Sequence, residues 1–152
     1  MKIVILSFTF LLFGCNVLAQ VAAVRLKEYN LDSKVAIQYD PVAYFKQNKA
    51  IEGNKEIEAT NEGIIYYFIS QINRDLFLKN PTYFEPQYGG WCAYAMGSKG
   101  EKIAIDPETF KIVEGKLYLF YNAYFNNTLK IWNKDELSFK KKADLNWKKF
   151  VK

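Results

Sequence analysis

Two short glycine turns, Asn61-Glu62-Gly63 and Glu114-Gly115, most restrict how this chain can fold. Each is flanked by β-branched and aromatic runs, which is the pattern of a β-hairpin. The first turn predicts strands over 56–60 and 64–70. The second predicts strands over 110–113 and 116–120, with a further strand at 103–105. Helix signals lie between and after them. Asp40-Pro41 is a start signal, because Asp caps free N–H groups and Pro is tolerated at the first position, so a short helix is expected over 41–46. Ser70 can cap a second helix that must stop before Pro81, with Ile72, Leu76 and Phe77 on its apolar face. Residues 122–132 read as helical, and helix resumes from about Glu136. There the lysines of "SFKKKADLNWKKFVK" form a wet face, and Phe139, Leu145, Trp147 and Phe150 are the candidate apolar contacts. No internal repeat or linker is visible. The expected fold class is α+β: a single small domain of short antiparallel β-hairpins packed with short helices, ending in a helical C-terminus.

The opening "MKIVILSFTFLLFGCNVLAQ" has a positive residue, an apolar run over 3–13 too short to span a bilayer comfortably, and small residues before Gln20. This is the pattern of a signal peptide over 1–19. A polar lead-in over 20–34 and a domain over 35–152 follow. Leu12-Phe13-Gly14-Cys15 also resembles a bacterial lipobox, which would instead tether the chain to a membrane through a lipidated Cys15. Either way the protein is expected to be exported, to the periplasm or beyond. Loss of residues 1–19 removes one lysine and no acid, so the net charge falls from +5 to +4. So small a surplus argues against nucleic acid as a partner.

Histidine is absent. That removes the usual imidazole base, the Ser/His and Cys/His nucleophile pairs and the commonest metal ligand. No carboxylate pair or phosphate loop is visible, so nothing supports a hydrolase or a transferase. With Cys15 in the leader, Cys92 stands alone, and any thiol chemistry needs a ligand or a second molecule. It lies in "QYGGWCAYAMG". Gly89 and Gly90 permit backbone conformations forbidden to other residues and let another group approach closely. A helix starting just after them would place Cys92 in its first turn, where the dipole favours a thiolate. Met96 is one turn further on the same side, and a thiolate with a thioether suits Cu(I). The bland reading is equally open: free cysteine is among the most buried residue types, and Tyr88, Trp91 and Tyr94 surround this one. Asp40, with Tyr44 nearby, reads as a helix cap or as part of a ligand pocket. The remaining tyrosines read as core whose hydroxyls find partners.

In order, "YDPVAYF", "YYFISQINRDLFLKNPTYFEPQYGGWCAYAMG", "GKLYLFYN" and "ADLNW" resemble the blocks of exported YHS-domain proteins of the type with a YGG-x-C motif, over residues 35–147. The resemblance implies a metal-binding heritage, because small modules of the family carry cysteines after D-P-V, in Y-Y-F-C-S and a few residues on. Here those positions hold Ala43, Ile69 and Asn73 or a near neighbour, so that metal site is dismantled. The resemblance also favours chemistry at Cys92, since some members carry selenocysteine at that position. Three functions remain: soft-metal (copper) binding through Cys92 with Met96 and a third ligand; thiol redox at Cys92 with an external resolving thiol; and a non-catalytic binding or structural module with an inert, buried Cys92. Candidate partners are a metal ion or a small ligand at Asp40, Tyr44, Tyr88, Gly89, Gly90 and Trp91.

Overall fold

A computed structural model describes residues 19–152. The expected leader cleavage and the lipobox at Cys15 concern residues that lie, save Ala19, outside these. The described chain opens in a helix, α1, over 19–28. Then come α2 (Pro41–Gln47), a hairpin of β1 (Asn54–Asn61) and β2 (Ile64–Phe68), α3 (Gln71–Lys79) and α4 (Pro81–Phe84). A 3-10 turn (Gln87–Gly90) leads to α5 (Ala93–Ser98). A second hairpin, β3 (Asp106–Val113) with β4 (Lys116–Phe120), precedes a two-residue ladder of β5 (Asn122–Ala123) and β6 (Asn126–Asn127). Helices α6 (Thr128–Trp132) and α7 (Glu136–Phe150) complete the chain. The α+β expectation holds, with three separate antiparallel two-stranded sheets.

The two main hairpins are one device used twice. Both turns place a glutamate and a glycine at positive φ: Glu62 at 46° and Gly63 at 85°, Glu114 at 51° and Gly115 at 69°. Both first strands carry an irregularity four residues long, between Asn54 and Glu58 and between Asp106 and Phe110. Glu62 to Phe68 reads E-G-I-I-Y-Y-F and Glu114 to Phe120 reads E-G-K-L-Y-L-F. The two turns thus share the local pattern E-G-x-x-Y-x-F with the same backbone geometry.

The hairpins are buried differently. On β2, Ile64, Tyr66 and Phe68 alternate inward and pack with Phe77 of α3, Phe84 of α4 and Val42 of α2. Each fully buried side chain of this size contributes about 1.5–3 kcal/mol. On β4 both faces are covered. Leu117 and Leu119 meet Ile37 and Tyr44. Tyr118 and Phe120 meet Met96, Trp132 and Ala143 from the helical side. β4 is therefore the wall shared by the two halves of the molecule.

Four expectations need correction. Residues 20–34 are not a lead-in, because α1 docks into the fold through a buried arginine. The strand expected at 103–105 is irregular. Residues 122–127 form the β5–β6 turn, so helix starts only at Thr128, capped by Asn127. Ile72 and Leu145, expected on apolar faces, are 72% and 55% exposed; α3 instead turns Asn73 inward with Phe77.

Candidate functional site

Cys92 is the cap residue of α5, but its side chain makes no cap hydrogen bond. Its N–H donates to Ile103 O at 2.9 Å, and its carbonyl accepts from Met96 N at 3.0 Å. The sulfur is fully buried. It accepts from the Tyr121 N–H at 3.3 Å and lies 3.5 Å from Thr128 Oγ1. Thr128 donates its single hydroxyl proton to Tyr121 O at 2.8 Å. With that proton engaged, the Thr128 oxygen is the acceptor and the thiol S–H the donor of their contact. One S–H, one backbone N–H and one hydroxyl thus tie α5 to the end of β4 and the start of α6.

Met96, one turn on from Cys92, belongs to the core. It is fully buried among Tyr88, Tyr118, Phe120 and Trp132. Cys92 instead borders an open cleft of about 410 Å³ whose other polar groups include Tyr94, Glu101, Asn126 and Thr128. One thiol among oxygen donors does not match the soft set Cu(I) prefers. Among the described residues, no group of three or more Cys, Asp or Glu side chains is placed to hold a metal ion.

The glycine pair has its own explanation. Tyr88 and Gly89 both lie in left-handed backbone, at φ 56° and 59°. A Cβ on Gly89 would come within 2.8 Å of the Tyr29 ring and 2.9 Å of Trp147. The freed carbonyls receive the end of α1: Asn30 N donates to Gly89 O at 2.8 Å, and Asn30 Nδ2 to Gly90 O at 3.1 Å. Trp91 Nε1 reaches Glu28 O at 2.7 Å. The motif from Tyr88 to Trp91 is a socket for residues 28–30.

Tyr88 also carries one wall of a cleft of about 400 Å³. Tyr29, Glu85, Lys116, Trp147 and Lys148 face it, together with Asp144. The Tyr88 hydroxyl donates to Asp144 at 3.0 Å. Burial, and then the Asp144 charge, hold that hydroxyl far above the usual tyrosine range.

Asp40 and Tyr44 belong to the other half. Asp40 is fully buried, with Oδ1 accepting from Val42 N and Ala43 N, and Oδ2 from Ile69 N and Asn73 Nδ2 at 2.7 Å. It is a helix cap that also ties α2 to α3. The Tyr44 hydroxyl donates to Pro107 O at 2.9 Å, and burial raises it well above the ordinary value.

A buried ion pair escaped the sequence reading. Arg25 of α1 meets both oxygens of Glu85, which also accepts from the Tyr66 hydroxyl at 2.8 Å and from Asn61 Nδ2 at 2.9 Å. Glu62 takes a further Arg25 N–H at 2.9 Å. Arg25 Nε is buried without a partner. The only hint was an arginine on the apolar-flanked stretch "VAAVRLKEY".

No described helix is long and apolar enough to cross a membrane. Comparison with known proteins returns nothing to name this arrangement by: no family model matches the chain, nor does any curated protein or solved structure.

Proposed function

We propose that this chain is an exported, non-catalytic binding module of the YHS type, in which Cys92 is a structural thiol and a small ligand occupies the cleft over Tyr88 and Gly89. One observation carries the reading: the sulfur is closed to solvent, and its donor and acceptor capacities are both used inside the chain. The YHS assignment draws on the resemblance over residues 35–147. It is supported by the convergence on the carboxylate of Asp40 of Ala43 and Ile69, which stand at two of the family's cysteine positions, and of Asn73, which stands at or near the third.

The cleft offers ring faces on Tyr29 and Trp147 and ammonium groups on Lys116 and Lys148. Of its two carboxylates, Glu85 is paired with Arg25 and Asp144 accepts from Tyr88. The complementary ligand is a small molecule with an apolar ring and an anionic group. Titration with naphthoate should quench Trp147, and Lys116→Gln with Lys148→Gln should weaken binding about tenfold, the effect of a lost charge-assisted contact. Unchanged affinity in the double variant would remove the cleft from the account.

The competing reading is Cu(I) on Cys92, and it is favoured by the thiol's position at the edge of its own cleft. It requires the Thr128 hydrogen bond to break and ligands other than Met96 to arrive. An anaerobic Cu(I) competition against a chromophoric chelator separates the two. Wild type and Cys92→Ser should behave alike, whereas tight one-to-one binding lost in the variant would establish the copper reading. Export predicts recovery from the periplasmic or extracellular fraction with Gln20 at the N-terminus.

A further inference from the structure

The outer side of α7 gathers lysines that form no ion pair among the described residues, although Lys148 also lines the Tyr88 cleft with Glu85 and Asp144. Lys99, Lys142, Lys148, Lys149 and Lys152 border a groove of about 540 Å³ between the end of α5 and α7. No Asp or Glu side chain borders it. Elsewhere the described lysines Lys102, Lys111 and Lys140 reach Glu28, Glu136 and Glu114. In the groove none is paired with a carboxylate, and Lys149 meets only the neutral Asn146 at 2.8 Å. The spacing 142, 145, 149 keeps these positions on one face of α7, with exposed Leu145 at its centre, and Lys152 follows just past the helix end. Like charges gathered this closely repel one another, and an anion bound over them would offset that repulsion.

A second feature lies on the β5–β6 turn. Tyr124 and Phe125 form the tip of the β5–β6 turn, both in left-handed backbone at φ 50° and 64°. They are the most exposed large hydrophobic residues described, Tyr124 at 93% and Phe125 completely. Backbone strain holds two aromatic rings in water, where neither packs on the fold. Lys99 joins the two features, because it borders the lysine groove and also the cleft edged by Asn126, next to Phe125.

We infer that this side of the molecule docks on an anionic phospholipid bilayer, with the lysines over the headgroups and Tyr124, Phe125 and Leu145 entering the interface. Exposed aromatics beside a basic patch are what an interfacial protein requires. Nucleic acid fits less well: the groove has no arginine for bidentate phosphate contacts.

The test is flotation of residues 19–152, which contain every core contact described, with vesicles of phosphatidylcholine alone or containing one quarter phosphatidylglycerol. Binding is expected only to the anionic vesicles and should weaken as salt rises. Each lysine near such a surface contributes about fivefold, so K142E with K149E should reduce binding at least about 25-fold. Tyr124→Ser with Phe125→Ser should reduce it at least about tenfold, since two buried aromatics are removed from the interface. The control K55E with K79E makes the same change in net charge on exposed residues of β1 and α3, and should leave binding intact. Circular dichroism confirms that each variant is folded. Equal binding to neutral vesicles, no binding to anionic ones, equal loss in the control, or tighter binding to a single-stranded oligonucleotide than to vesicles would each overturn the inference.

Discussion

Cys92 holds its place by one donated and one accepted hydrogen bond, so its substitutions separate packing from polarity. Cys92→Ala removes the sulfur and both bonds inside a closed corner and should cost about 2–3 kcal/mol. Cys92→Ser keeps the bonding pattern in a smaller group and should cost about 1 kcal/mol. Urea unfolding of both variants checks the order. Gly89→Ala should be worse than either, because it combines positive φ with a Cβ inside the Tyr29 and Trp147 rings. The glycine pair was legible from sequence as a site of unusual backbone and close approach, and both features are present. What the sequence left open was the identity of the approaching group. Tyr29 and Trp147 lie far from Gly89 in the chain, and no local pattern links them. Met96 posed a different question. Helical spacing puts two residues on one side of a helix, but it does not say whether that side faces a cleft or a core.

At the scale of elements, the hairpins were readable because Glu-Gly turns and inward alternation are local signals. The β5–β6 turn was missed because its strands are two residues each, too short for any period to register; the asparagines at positions 122, 126 and 127 were the better guide. Helix α1 was discounted because Arg25 and Glu28 made the stretch look polar, whereas both are buried and paired. Arg25→Met should therefore cost about 3–5 kcal/mol by leaving Glu85 uncompensated, and adding Glu85→Leu should recover much of that loss. Glu28 gives a second handle. Its hydrogen bond from Lys102 holds its carboxyl below the ordinary value. The stability it contributes is complete above the usual carboxylate range and is lost as pH falls through the lowered folded value. Thermal melts from neutral to acid pH should show that loss in wild type, and it should be shallower in Lys102→Met.

For the molecule as a whole, β4 divides two aromatic cores and is covered on both faces, so the halves should unfold together. Those cores hold tyrosines raised by burial. Tyr118 is pushed up to about 12, and Tyr44, Tyr66 and Tyr88 lie higher. Above about pH 10 the unfolded chain releases phenolic protons that the folded chain retains, so stability must fall with rising pH. Alkaline unfolding should coincide with the appearance of tyrosinate absorbance; ionisation of these residues before unfolding would contradict the burial. The α+β class and single-domain size were legible because they rest on composition and turn spacing. The site was not, because burial of one sulfur depends on Thr128 and Tyr121 arriving from elsewhere in the chain. The central claim, that Cys92 is closed, is tested most directly by its rate of reaction with an aromatic disulfide reagent in residues 19–152. The account predicts that the thiol reacts only as fast as the protein opens, with a rate that rises with urea and matches full reactivity once unfolded. Rapid reaction in the native state, insensitive to denaturant, would show an accessible thiol and return Cys92 to the list of working residues.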